Sequence, residues 1–344
     1  MKNSSELIAK NVYSVNAYYT KKQNKTKELF FRCIREKRSE TYFKKEAHKI
    51  WGDIDHEFMD KQIEKLMGTI HDINVEQALQ IGRIEDAKSI SRVKDWVIDD
   101  EYFKLTPEKY FNKFEKKFET NASRIYKKTS TTPEDLESDR LEKILDRYDK
   151  NINQRVTYFS KLGKPIRQVQ LSSYLSMVHN VNLTRAGWNQ TMADSERIEN
   201  EYFIIPFHPF SCPICYSHQN KLLTRKDVKN YIGETATEKQ GDLLHPNCKC
   251  TLSIYWDESQ LRTPGLAEVN VASLYKTRQK VDGLTLEKSR LLTDSRIAKE
   301  SGNMSAYDEY RKRINAINKT IREIKAELPG ESLRKQITAI KRWN

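Results

Sequence analysis

Four of the five cysteines cluster between positions 212 and 250, as Cys212-Pro213-Ile214-Cys215 and Cys248-Lys249-Cys250, with His245 three residues ahead of the second pair. A two-residue gap lets both sulfurs of the first pair reach one ion from a tight turn. A second pair then closes the set, and four soft ligands in two halves suit a tetrahedral zinc ion. With every coordination position filled by protein, the Zn2+ would be structural, with no open position for water or substrate. The fourth ligand is open between Cys250 and His245; the four cysteines are the favoured set, with His245 as an alternate ligand or a partner behind it. His208 and His218 flank the first pair and compete less well, since a hydrogen-bonded histidine is the simpler reading of each. A redox Cys-x-x-Cys pair, two ordinary disulfides and uncoordinated buried thiols remain as alternatives. Against the first, no thioredoxin-like βαβ pattern surrounds the motif. Cys33 stands apart and reads as a small buried apolar residue.

Other chemistries find no residues to carry them. The chain contains no Gly-x-Ser-x-Gly elbow and no glycine-rich phosphate loop. Its 344 residues carry 61 Lys+Arg against 48 Asp+Glu, a net charge of +13, which favours a polyanionic neighbour. That charge is unevenly placed: residues 271–344 hold 17 basic and 9 acidic side chains, whereas residues 196–256 hold 7 of each. The cysteine segment is therefore neutral and the basic character belongs to its flanks. No stretch approaches the roughly 20 apolar residues of a membrane span, and the first residues lack the apolar core of a signal peptide. A cytoplasmic chain, or one delivered by assembly, is the expectation.

The elements that must position the cysteines are mostly helical. Tyr110, Phe111, Phe114 and Phe118 share one helical face, with Lys113, Lys116 and Lys117 turned away. Thr132-Pro133 reads as an N-cap followed by proline at the first helical position. From there Leu136, Leu141, Ile144, Leu145, Tyr148, Ile152, Val156 and Phe159 predict one helical stripe, ended by Gly163-Lys164-Pro165. Two further helices are expected, over 166–180 and 184–200. Short β-prone runs at 202–207 and 252–256 bracket the cysteines, with a helix over 224–232 between them. Tyr307, Tyr310, Ile314, Ile317, Ile321, Ile324 and Leu328 step alternately by three and four, a narrow coiled-coil seam. Leu274, Val281, Leu284 and Leu291 could supply its partner, folded back across Ser301-Gly302-Asn303. The expected fold class is α+β, predominantly α: a helical region over 1–200, a cysteine-rich metal-binding module over 201–256, and a basic helical hairpin or coiled-coil arm over 257–344.

The cysteine string from Cys212 to Thr224, followed by His245-Pro246-Asn247-Cys248-Lys249-Cys250, resembles the minor head protein (head morphogenesis) family of tailed bacteriophages. The likeness extends loosely upstream through Thr184-Arg185-Ala186-Gly187-Trp188-Asn189. Two positions depart from the family pattern: Asn220 stands where glycine is usual, and Lys249 where arginine is usual. Asn tolerates the left-handed conformation best among non-glycine residues, so the turn at 220 can survive. Lys249 keeps the charge but loses the bidentate fork. The resemblance implies a minor capsid component of the virion, inside the head near the portal vertex, assembled in the host cytoplasm. It implies the portal protein and capsid or scaffold proteins as partners, and double-stranded DNA bound without sequence preference. It also implies a part in head assembly, DNA packaging or DNA delivery, and no enzymatic activity.

Two other classes compete. A zinc-dependent His-Asn-His nuclease is suggested by His245 and Asn247 beside paired cysteines in a basic protein. Such an enzyme needs a catalytic histidine beyond its metal ligands, and none follows Cys250. A nucleic-acid-binding regulator built on a zinc module should present a basic recognition surface, yet the module here is neutral.

Overall fold

The computed structural model describes residues 4–52, 56–91, 132–152, 155–159, 165–208, 210–232, 248, 250–261 and 271–328. The aromatic stripe at Tyr110 to Phe118, His245 and the boundary at Thr263-Pro264-Gly265 lie outside them. In chain order the elements are α1 (Ser4–Arg35), α2 (Glu40–Gly52), α3 (His56–Gln80), α4 (Ile84–Ser91), α5 (Pro133–Glu137), α6 (Leu141–Ile152), β1 (Arg155–Phe159), β2 (Pro165–Gln170), α7 (Leu171–Glu196), β3 (Tyr202–Ile204), α8 (Pro213–Tyr216), β4 (Leu222–Thr224), α9 (Arg225–Ile232), β5 (Ser253–Ile254), a 3-10 turn (Glu258–Leu261), α10 (Val271–Glu300) and α11 (Met304–Ala326). The protein is predominantly α with a minor β part, as its periodicities predict. No helix among the described residues is long and apolar enough to cross a membrane.

The chain divides into two compact units. The first takes residues 1–15, 55–105 and 176–278; the second takes residues 16–54, 106–175 and 279–344. The cysteine segment lies wholly within the first.

In the first unit, β3 is the central strand of a three-stranded antiparallel sheet in the order β4-β3-β5. Phe203, Ile204, Leu223 and Ile254 from these strands and Ile205 just after β3 are buried, and Phe203, Ile205 and Leu223 join Trp188 and Met192 of α7 in one core with three cysteines. The α3–α4 turn depends on Gly82, whose φ of +79° suits a residue without Cβ, and Arg83 N–H closes it onto Ala78 O at 2.9 Å. Helix α3 is tied to α7 by polar groups as well as by packing. Asp194, fully buried, accepts hydrogen bonds from Asn74 Nδ2 at 2.8 Å and Gln190 Nε2 at 2.8 Å, and lies 3.0 Å from His71 Nδ1. A buried carboxylate is tolerable only when its lone pairs are met in this way.

In the second unit, Phe30, Phe31, Phe43 and Tyr148 form an aromatic cluster, with ring centroids 5.0 Å apart for Phe30 and Tyr148 and 5.6 Å for Phe30 and Phe43. Beside it Lys27, only 4% exposed at its side chain, places Nζ 2.8 Å from Asp149 and 2.6 Å from Asp294. Burial pushes the Asp294 carboxyl above its ordinary pKa, opposed by the lysine charge. A short turn over Ser301-Gly302-Asn303 joins α10 to α11 where the sequence predicts it. Gly302 (φ +75°) ends α10, and Asn303 caps α11 by accepting from Ala306 N–H at 3.0 Å. Tyr310, Ile314, Ile317, Ile321, Ile324 and Leu328 are all buried within the single chain, and Tyr307 is half-buried. The seam is thus an internal packing surface and needs no second chain to cover it.

Two expectations fail along 132–200. Thr132 caps α5 in a reciprocal capping box with Asp135, and Leu136, Leu141, Ile144, Leu145 and Tyr148 are buried as the stripe requires. The stripe does not continue, because Arg155–Phe159 is a strand paired antiparallel with Pro165–Gln170. Val156, Thr157, Tyr158 and Phe159 are β-branched or aromatic, and Pro165 lacks the N–H a helix interior would use. Spacing alone could not separate the two periods over so few residues. The helices expected at 166–180 and 184–200 are instead one helix, α7, entered from β2.

Removing the Lys27 ammonium should leave the buried Asp294 carboxylate facing the half-buried Asp149 carboxylate. Lys27→Ala is expected to destabilise the protein by about 3–5 kcal/mol, the range for breaking a buried ion pair from one side. Urea unfolding monitored by circular dichroism measures this, and a loss below about 1 kcal/mol would mean that water reaches the carboxylates freely.

Candidate metal centre

The first half of the centre is a tight turn. Cys212 is extended and caps α8, its Sγ accepting the Cys215 N–H at 3.4 Å, while Pro213 occupies the first helical position. Tyr216 N–H closes the turn on Cys212 O at 2.9 Å. The chain leaves through Asn220, which holds φ at +54°, a conformation that asparagine tolerates better than most non-glycine residues, with its N–H on Ile205 O at 2.9 Å. Helix α9 is then started by a reciprocal cap. Asp227 accepts from Thr224 N–H at 2.8 Å and from its hydroxyl at 2.6 Å, and these bonds hold its carboxyl below the ordinary pKa.

The second half is held by α7. Thr184 Oγ1 lies 3.3 Å from Cys248 O, Trp188 Nε1 donates to Cys250 O at 2.9 Å, and Thr191 Oγ1 lies 3.2 Å from Leu252 O. Three residues spaced i, i+4, i+7 share one helical face. They meet three carbonyls spaced by two, which on an extended chain point the same way. The same period of two puts the Cys248, Cys250 and Leu252 side chains on one side of the segment, and all three are buried in the core of the first unit. The geometry therefore explains why a Cys-x-Cys pair delivers both sulfurs to one place.

Cys215, Cys248 and Cys250 bring their sulfurs within 4.8 Å of one another, all buried, with Cys215 Sγ 3.8 Å from Cys248 Sγ. All five cysteines are free thiols, so no disulfide is formed among them. Gln219 Nε2 donates to Cys250 Sγ at 3.9 Å. Contact with Cys248 and Cys250, together with burial, pushes the Cys215 thiol far above its ordinary pKa. For Cys250 the bond with Cys215 acts downward, but Cys248 and burial outweigh it and the thiol is also raised. Three buried thiols cannot all ionise beside one another without a cation. A metal ion reverses that cost by stabilising the thiolates, and this donor set can hold one.

Cys212 packs half-buried against the same core, outside the three-sulfur group. Neither flanking histidine joins it. His208 Nδ1 accepts the Phe210 N–H at 3.1 Å, and His218 Nδ1 lies 3.1 Å from the Tyr231 hydroxyl. Tyr231 in turn meets Trp188 edge-on at 6.2 Å, so the histidine belongs to the wall behind the sulfurs. Sequence reasoning missed Thr184, Trp188, Thr191 and Gln219 as supports of the centre. The signal was the Thr-x-x-x-Trp-x-x-Thr spacing on one face of a helix just upstream. Arg225 was also missed: its guanidinium reaches Glu196 at 2.9 Å, Glu201 at 3.2 Å and Ser195 Oγ at 2.9 Å, fastening the end of α7 to the start of α9.

No protein-family model, no curated protein and no solved structure matches the chain.

Trp188→Phe keeps most of the ring but leaves the buried Cys250 carbonyl without its donor. The expected cost is about 1–3 kcal/mol, the penalty for one unsatisfied buried group. Hydrogen exchange should quicken first around 250–254. Unchanged protection there would mean that the carbonyl bond does not hold the segment.

Proposed function

We propose that this chain is a structural, non-enzymatic protein of a tailed-phage head, in which a zinc ion staples the cysteine module. The observation that carries the reading is the convergence of Cys215, Cys248 and Cys250 from the two halves of the head-protein-like motif. The 3.8 Å separation of two of these sulfurs fits two ligands of one zinc ion and is too long for a disulfide. Zinc–sulfur bonds of about 2.3 Å place tetrahedral ligands about 3.8 Å apart, whereas a disulfide would bring sulfurs to about 2.05 Å. Cys215, Cys248 and Cys250 would hold the ion, with Cys212 as the fourth ligand one turn away and His245 as the alternate. Bound there, zinc supplies folding energy and no catalysis, since a fully ligated ion has no position for substrate.

In this reading the protein sits inside the head near the portal vertex, in contact with the portal protein and with capsid or scaffold proteins. Double-stranded DNA packs against its basic helices through phosphate contacts, without sequence preference. Against the nuclease reading, no histidine follows Cys250 to act beyond the metal ligands, and against the regulator reading, residues 196–256 carry no net charge.

Two measurements test the proposal together. Cys215→Ser should release the metal and raise hydrogen exchange across the sheet of the first unit while the 304–326 helix stays protected, because structural zinc acts locally. Tagged wild-type chain, produced in the cell that carries the gene during particle assembly, should co-sediment with density-purified heads, and the Cys215→Ser chain should be depleted from them. Heads that lack the wild-type chain would overturn the reading.

A further inference from the structure

Gln219 lies between α8 and β4, and its side chain is buried. The neighbours of its amide fix which way round it sits. Oε1 accepts the His208 N–H at 3.0 Å and stands 3.5 Å from the Ser211 hydroxyl, in the stretch that leads from β3 into α8. A backbone N–H can only donate, so the amide oxygen must face His208 and the NH2 group must face the other way. What it faces is Cys250 Sγ, 3.9 Å from Nε2, and this sulfur is its acceptor among the described residues. A neutral side chain from the first half of the cysteine motif thus aims a donor at a sulfur of the second half.

The charge of the centre gives that donor a purpose. Four thiolates around one divalent cation carry more negative charge than the ion cancels, and in a buried site the surplus must be met by hydrogen-bond donors. Cys212 Sγ accepts the Cys215 N–H at 3.4 Å, a bond that the α8 turn itself supplies. Cys250 enters from an extended segment, held at its carbonyl by Trp188, and the donor to its sulfur comes from a side chain instead. We infer that Gln219 is a positioning residue of the metal centre: its amide donates to the Cys250 sulfur and draws negative charge from it, so that the sulfur stays with the metal as thiolate and reacts slowly with electrophiles. The inference rests on the zinc reading. A leucine at 219 would fill the space without this effect, and a glutamate would turn an acceptor toward the sulfur.

The test loads the reduced full-length chain with Co2+, a coloured substitute for zinc, and compares the wild type with Gln219→Glu, Gln219→Leu and Ser211→Ala. Gln219→Glu retains the oxygen that meets the His208 N–H and changes only the end that faces the sulfur. It should bind the metal about 10- to 100-fold more weakly, the usual cost of losing a partner behind a ligand. Its sulfur-to-cobalt charge-transfer band should move to longer wavelength, because a thiolate without a donor gives up charge more easily. Gln219→Leu should move the band the same way, and iodoacetamide should alkylate its zinc-loaded form several-fold faster than the wild type. Ser211→Ala leaves the sulfur contact in place and should match the wild type in affinity, band and alkylation rate. An amide that only clamps His208 would leave Gln219→Glu with the wild-type band and affinity, and that result overturns the inference. Ser211→Ala moving the band as far as Gln219→Leu does would overturn it too. A wild-type chain that takes up neither Co2+ nor Zn2+ sinks the zinc reading, and this inference with it. A wild-type chain with a four-sulfur spectrum that both Gln219 variants reproduce sinks the inference alone.

Discussion

The constraint on which the cysteine module depends is the seating of one extended segment against one face of α7. Three side chains of a helix meet the carbonyls of residues 248, 250 and 252, whose side chains are all buried in the core of the first unit. Two sulfurs then enter the core of the first unit at the spot that the turn beginning at Cys212 supplies with a third. Without a cation the thiols stay protonated. Buried thiols whose ionisation is opposed by burial and by one another contribute little beyond small apolar contacts. With a divalent soft metal the same crowding becomes a rigid link between strands that share only a few backbone bonds in a three-stranded sheet.

The second unit reaches stability by a different route. Its core is aromatic and aliphatic, its helices are long, and its buried charges are arranged so that one lysine serves two carboxylates. The helical hairpin belongs to this scheme. An apolar seam covered by the chain's own side chains leaves α11 polar over the rest of its circumference, where cations and carboxylates are interleaved.

How much of this could be read from the sequence follows from which signals are local. The seam at 310–328, the turn at Ser301-Gly302-Asn303 and the cap at Thr132 each follow from residue type and spacing within a few positions. The meeting of Cys215, Cys248 and Cys250 was legible, because ligand spacing is itself a local signal, whereas Cys212, expected with them, lies outside the three-sulfur group. What supports the centre was not. Thr184, Trp188 and Thr191 act on carbonyls some sixty positions downstream, and nothing in a helical pattern says which backbone a threonine will meet. The hairpin at 155–170 was hidden for another reason: Val156 and Phe159 fit the end of a helical stripe as well as they fit a strand. The pairing that decides between the two is a tertiary fact. The aromatic stripe at Tyr110 to Phe118 and the ligand role of His245 concern residues outside those the structure describes.

The central claim is that the clustered sulfurs are zinc ligands, and zinc K-edge X-ray absorption on the purified, reduced full-length chain reads it most directly. The account predicts one zinc per chain with a first shell of four sulfurs at about 2.3 Å. A shell of three sulfurs and one nitrogen would assign the fourth position to a histidine and leave the account standing. Protein free of zinc, or zinc bound through oxygen and nitrogen alone while the thiols of Cys215, Cys248 and Cys250 titrate freely, would contradict it.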